Sequence, residues 1–179
     1  MPPTASSLTH RISARRLTAY VAWLGLLALL LLWLPATGRA ADTEPALPRY
    51  ATLRASEVNL RTGPGEQFQI QWVYVRKGFP IQVIAKSDVW RKVRDWQGTE
   101  GWVHQRMIAD SRAVIVRGDV RALHSDPDPA ATVVARVEPG VIAKLLECHG
   151  AWCLVEAQDL RGWLGRNEVW GVGPDEDVR

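Results

Sequence analysis

Residues that carry most protein chemistry are scarce in this chain. It holds four histidines and two cysteines in 179 residues. His10 lies in the leader described below, and His104, His124 and His149 fall in turns or at strand ends. None has a serine or cysteine and an acid at a spacing that nucleophilic catalysis uses. Nothing singles out a carboxylate pair for sugar hydrolysis. The expectation is a protein that is not an enzyme and needs no cofactor or metal. Two further absences shape the rest. Beyond the leader there is no apolar stripe at helical spacing, and no Gly/Ser-rich stretch marks a flexible linker.

Acidic residues are missing from the first forty positions, where four arginines stand. Arg11, Arg15 and Arg16 precede an uncharged run from Leu17 to Leu34, almost all leucine from Leu24 on, which Pro35 breaks. Gly38-Arg39-Ala40 then offers small residues where a signal peptidase reads. The pattern is a signal peptide over residues 1–40, cleaved after Ala40, which makes the protein exported and periplasmic. The alternative is a retained inner-membrane anchor over residues 17–34, since the run is slightly long for a signal, though slightly short for a span. Arg15-Arg16 is followed by Thr18 and Ala19 rather than bulky apolar residues, so general export is the expectation. No cysteine near the cleavage site offers a lipid anchor. Removing the leader also removes the basic balance. The whole chain has 22 Lys+Arg against 19 Asp+Glu, and without the leader's arginines it is 18 against 19. A nucleic-acid partner therefore has no electrostatic basis.

What remains is one pattern written twice. Val58-Asn59-Leu60-Arg61 aligns with Val120-Arg121-Ala122-Leu123, Gly78 with Gly140, Trp90 with Trp152 and Val93 with Val155, all 62 residues apart. Gly101-Trp102-Val103 meets Gly162-Trp163-Leu164 at an offset of 61. Glycines and tryptophans in register at a fixed period mark one structural unit used twice. Short runs rich in Val, Ile and Trp cover 52–54, 58–61, 70–76, 80–85, 90–94 and 101–103. The second copy has 114–116, 120–123, 132–137, 141–146, 152–156 and 162–164. Gly, Pro or polar turns separate them, which argues an all-β fold of two tandem small barrels. The expected layout is a signal peptide at 1–40, an irregular lead at 41–50, domains at 51–110 and 111–173, and a frayed polar tail at 174–179. Val114–Val116 belongs to the second unit, so the two copies are expected to be close-coupled in a fixed orientation.

The interior charge is uneven. Residues 51–110 carry nine basic and six acidic side chains, and 118–173 carry five and eight. Two readings stand: opposed surfaces that favour mutual packing, or a cationic first unit that meets an anionic ligand. Cys148 and Cys153 flank a four-residue turn between strands, in an oxidising compartment, and are expected to form a disulfide across a hairpin. A metal site from Cys148, His149 and Cys153 lacks a fourth ligand and the usual spacing.

Val58-Asn59-Leu60-Arg61-Thr62-Gly63-Pro64-Gly65 resembles the opening motif of bacterial SH3-like (SH3b) domains. Gly78, Trp90-Arg91-Lys92-Val93 and Gly101-Trp102-Val103 follow in the family's order. The wording of 72–76 and 95–104, with Cys148 and Trp152-Cys153 in the second copy, is similar to an exported tandem SH3-like type from proteobacteria. The second copy departs from the motif, with Arg121-Ala122-Leu123 and Asp126-Pro127-Asp128-Pro129 in the opening. The resemblance covers roughly residues 51–172. It implies a bent five-stranded barrel per copy and a non-catalytic domain that targets cell-wall peptidoglycan or its peptides.

Four tryptophans form repeat pairs, 90/152 and 102/163, and are assigned to the core or its margin. Trp72, Tyr74 and Trp96 belong to the first copy alone and are candidate ligand contacts, with packing between copies as the alternative. Asn59 and Arg61 are expected to point outward together from one strand, where Arg61 can fork onto a carboxylate and Asn59 can either meet ligand or bond the Gly-Pro-Gly turn. The expected binding residues are thus Asn59, Arg61, Trp72, Tyr74 and Trp96, in a protein that recognises peptidoglycan or an envelope peptide. The alternative is an adaptor that scaffolds an envelope complex and has no affinity for the wall.

Overall fold

The computed structural model describes residues 46–179. The leader, its cleavage site and the retained-anchor alternative lie outside the described residues. The first unit contains β1 (Arg49–Leu53), β2 (Val58–Arg61), β3 (Ile70–Tyr74), β4 (Pro80–Ser87), β5 (Trp90–Arg94) and β6 (Glu100–His104). A 3-10 turn, Gln105–Met107, leads to β7 (Ile108–Ala109). The second contains β8 (Ala113–Val116), β9 (Arg121–His124), β10 (Val133–Val137), β11 (Ile142–His149), β12 (Trp152–Ala157) and β13 (Leu160–Gly165). Its 3-10 turn, Arg166–Glu168, leads to β14 (Val169–Trp170).

The sheet orders are β3-β2-β6-β5-β4-β1-β7 and β10-β9-β13-β12-β11-β8-β14, which is one topology repeated. Every pairing is antiparallel. Each sheet has seven strands where the family resemblance implied five. β7 and β14 have two residues each, too few to show an alternation. The chain is all-β, as its short alternating runs require. In β2, Val58 and Leu60 are buried while Asn59 is exposed, so period-2 patterning places the core on one face. The first core gathers Leu53, Val58, Leu60, Ile81, Val83, Val93 and Val103. The second gathers Val114, Val116, Leu123, Leu145, Val155 and Leu164. Each such side chain contributes about 1.5–3 kcal/mol on burial.

The structure corrects the alignment of the two copies. Arg61 pairs with Trp102, and His124 pairs with Trp163. A β-carbon on Gly101 would meet Leu60 and the Arg61 carbonyl, and one on Gly162 would meet Leu123 and the His124 carbonyl. The Thr62 amide donates to Gln69 as the Ser125 amide donates to Thr132. Leu60 therefore corresponds to Leu123 and Arg61 to His124, one residue later than the sequence alignment placed them. Asp126-Pro127-Asp128 takes the place of Gly63-Pro64-Gly65. The second copy loses one residue between β10 and β11, which brings Gly78 and Gly140 back to the spacing read from sequence. Both glycines have positive φ, 77° and 83°.

The tail does not fray. Val178 exchanges both backbone hydrogen bonds with Cys148. Glu176 takes two hydrogen bonds from Arg112, and Arg166 Nη1 donates to the Gly173 and Glu176 carbonyls. Val178 thus forms a single antiparallel bridge to β11, an order that the polar composition of 174–179 conceals. The copies meet directly. Tyr50 lies edge-to-face on Trp170, ring centroids 5.2 Å apart, and the Arg112 guanidinium stands 5.7 Å from the Tyr50 ring. The Thr52 and Ser111 hydroxyls are 2.6 Å apart. Burial, then the nearby Glu176 charge, raises the Tyr50 phenol above its ordinary pKa.

Candidate functional site

β2 runs beside the end of β6 and the 3-10 turn that follows it. Between them the first barrel opens a hollow of about 280 Å³. Asn59 and Arg61 project into it from β2, with Glu57 just before the strand and Glu66 from the loop after it. The opposite wall is Trp90, His104, Arg106 and Met107.

Local bonding explains this wall. Trp90 and His104 are cross-strand partners in β5 and β6, with ring centroids 5.4 Å apart at 75°. His104 Nδ1 accepts from the Arg106 amide at 3.1 Å and caps the 3-10 turn. That acceptor role places the ring proton on Nε2. The Arg106 guanidinium is exposed and has no acceptor among the described residues. Arg61 Nη1 donates to the Glu66 and Phe68 carbonyls at 2.9 and 2.8 Å. It clasps the 62–69 loop and leaves its other N–H groups open to the hollow. The Asn59 side chain is exposed and makes no hydrogen bond to the described residues. It does not bond the Gly-Pro-Gly turn, and the loop is held further along, at Glu66 and Phe68, by Arg61. Two cations, two carboxylates and an indole wall suit a short ligand that carries both signs of charge.

Of the five expected contacts, Asn59 and Arg61 come together here. Trp72 does not. It stands on the edge strand β3, 58% exposed, outside this hollow. Trp96 is half-buried in the turn between β5 and β6. Tyr74 is corrected to a core residue. It is 5% exposed, and its hydroxyl donates to Asp95 Oδ2 at 3.1 Å. Burial, then the Asp95 charge and hydrogen bond, pushes its phenol well above the usual range. Asp95 Oδ1 also accepts from the Gln97 and Thr99 amides. Tyr74 therefore braces the β5–β6 turn instead of forming a rim.

The sequence reading missed Trp90, His104 and Arg106 as site residues. Trp90 recurs as Trp152 and was assigned to the fold. Trp90, Trp102, Trp152 and Trp163 are all half-buried, so a recurring tryptophan here still offers a face to solvent. The position of His104, directly after Gly-Trp-Val on the strand across from Trp90, was the available signal.

Cys148 and Cys153 face each other in β11 and β12 and are joined as a disulfide, both fully buried. Neither is available as a thiolate. Among the described residues no three His, Cys, Asp or Glu side chains stand close enough to hold a metal. No helix among them is long and apolar enough to cross a membrane.

The family model for the bacterial SH3 domain matches residues 54–110 and again residues 118–171. No curated protein matches the sequence. Similar solved structures include NlpC2 and NlpC1 from Trichomonas vaginalis, each 10% identical with a TM-score of 0.33. They cover 71% and 73% of this chain, and the chain spans 49% and 48% of theirs.

Proposed function

Since the chain belongs to the bacterial SH3 domain family, matched twice in tandem, we propose that it is a non-catalytic binding protein of the cell envelope that recognises peptidoglycan or a peptide there. The hollow beside β2 carries the proposal. Arg106 is a cation with no partner among the described residues, and it lines the same hollow as the Asn59 amide and the open N–H groups of Arg61. A carboxylate placed among these three receives charge-assisted hydrogen bonds. Glu57 and Glu66 lie at the same mouth and suit an ammonium group. Trp90 and Met107 give apolar contact for the stem between them. Stem peptides of the wall carry free carboxylates and amines on short aliphatic chains. On this reading the leader delivers the protein to the periplasm and is removed.

The test is co-sedimentation of the exported protein with purified sacculi. Arg106→Ala removes a charged hydrogen bond and is expected to weaken binding about tenfold. Asn59→Ala weakens it less. Retained binding by both variants places the site elsewhere. N-terminal sequencing of envelope material is expected to start near Ala41. An intact Met1 supports the anchor instead.

A second reading, an adaptor without wall affinity, is favoured by one observation. β3 is a sheet edge, and Ile70, Trp72, Val73 and Val75 are exposed along it or just beyond it. An apolar open edge invites strand addition by a protein. Failure of the wild-type protein to sediment moves this reading ahead.

A further inference from the structure

The corrected alignment exposes a difference inside the barrels. In the first, the Tyr74 and Phe79 rings pack 5.1 Å apart, tilted by 31°, and Tyr74 reaches Asp95. The corresponding residues in the second are Val137, Val141 and Ala157, and Ala135 stands where the first has Trp72. Four side chains shrink together. The space they leave is an open hollow of about 240 Å³, lined by the apolar Leu123, Ala135, Val137, Val141, Ala157 and Leu160 together with Arg136, Glu138 and Gln158.

We propose that this hollow binds an aromatic side chain carried on an extended segment of a partner protein, which adds as a strand to the free edge of β10. Three observations select this occupant. Rings of the chain's own first barrel fill the equivalent space, so its dimensions suit a ring. β10 pairs with β9 alone, so its other edge is open, and Val133 and Val134 along it are 47% and 42% exposed. A residue of an added strand that projects toward the core side comes to rest beside Ala135 and Val137. Charge completes the description. Asp126 and Asp128, in the loop before β10, are exposed and paired with no basic side chain among the described residues. The segment therefore carries a basic residue near its aromatic one. This site lies on the other barrel from the hollow beside β2 and stands or falls independently of it.

The probe is the acetylated, amidated pentapeptide Lys-Thr-Tyr-Thr-Lys, added to the exported full protein with methyl-labelled Val and Leu. Saturable NMR shifts at Val137, Val141 and Leu160 are expected, with Kd on the order of 1 mM. The amides of Val133–Val137 gain protection from exchange. Replacing the peptide's Tyr by Ala weakens binding at least about tenfold. Val137→Tyr and Val141→Phe each refill the hollow as the first barrel does, and each abolishes binding. Val141→Phe decides if Val137→Tyr does not fold. Absence of shifts at about 10 mM peptide overturns the proposal. So does equal binding of the Ala peptide, or binding that survives refilling. N-acetyltyrosinamide binding as tightly as the pentapeptide overturns the added strand.

Discussion

In the first barrel, Arg94 donates to Glu100 across β5 and β6 through two bonds of 2.8 and 2.6 Å. In the second, the same cross-strand positions hold Glu156 and Arg161, joined at 2.6 Å, so the pair is kept with its ends exchanged. The loop after β2 is clasped by Arg61 on the Phe68 carbonyl, and the loop after β9 by His124 against the Ala131 carbonyl. Lys86 and Arg91 face each other where the second barrel has its disulfide. Tyr74 and Asp95 give way to Val137 and Ala157. The backbone dictates where a clasp, a cross-strand pair or a brace is needed. It leaves open which chemistry supplies it, and ligand preference can diverge at those places while the fold stays constant.

The largest effect is expected where both barrels obey one steric rule. A β-carbon on Gly101 would stand 2.5 Å from Leu60 Cγ and 2.9 Å from the Arg61 carbonyl oxygen. On Gly162 it would stand 2.5 Å from Leu123 Cγ and 2.8 Å from the His124 oxygen. Backbone on one side leaves nothing that can yield cheaply. Gly101→Ala and Gly162→Ala are each expected to cost about 3 kcal/mol, at the upper end for overpacking. Urea unfolding of the two variants measures this. A large cost in one barrel and none in the other breaks the equivalence on which the alignment rests.

These glycines were legible because a repeat exposes them. So were six of seven strands per barrel, the alternation of Val58 and Leu60, and the Cys148–Cys153 bridge, since each follows from local spacing. The one-residue error in aligning β2 with β9 had a physical source. Val120 looks like Val58, but the chain is shorter between β10 and β11, and only strand pairing shows where the deletion falls. The candidate site was half legible. Asn59 and Arg61 share a strand, whereas Trp90, His104 and Arg106 join them through pairings between distant strands. The tail's order depends on Arg112 and Cys148, more than twenty residues away, and no feature of residues 174–179 announces it.

The next effect sharpens a difference. Cys148→Ala with Cys153→Ala opens a very short loop, for which chain entropy predicts a loss of about 2 kcal/mol. Loss is expected in the second barrel alone, with the backbone amides at positions 148 and 178 exchanging first. Equal destabilisation of both barrels, followed by exchange at each core, contradicts the idea that the bridge serves one copy.

A smaller effect separates the barrels by pH. The folded Tyr74 phenol titrates well above its usual value of about 10, first from burial and then from Asp95. A raised folded-state pKa contributes stability that is present below the unfolded value and is lost as pH rises beyond it. The first barrel is expected to weaken above about pH 10. The second has Val137 at that place and nothing there to titrate. Tyr74→Phe removes one buried hydrogen bond, costs about 1 kcal/mol at neutral pH, and flattens the alkaline decline. Tyr50 shifts in the same direction at the junction, so the decline that remains in this variant reports Tyr50. An unchanged alkaline slope would falsify the brace.

The smallest effect tests whether charge polarity is free to vary. Glu100 also receives Lys92 at 2.7 Å, and bonds from Lys92 first and Arg94 second hold its carboxyl below the usual range. In the second barrel the residue facing the same way is Leu154, so Arg161 and Glu156 stand as a simple pair. Exchanging Glu156→Arg with Arg161→Glu converts that pair to the first barrel's polarity. Exposed pairs contribute little, and the double exchange is expected to shift Tm by about 2 °C or less. The same exchange at Arg94 and Glu100 places the arginine beside Lys92 and is expected to lower Tm further. Each single reversal sets like charges opposite one another and falls below its double. Thermal scans of the six variants in low and high salt measure the order, and the gaps between them close as salt rises. If the exchange in the first barrel is as neutral as in the second, Lys92 has no hold on polarity, and the basic surface of the first barrel is not tied to this pair.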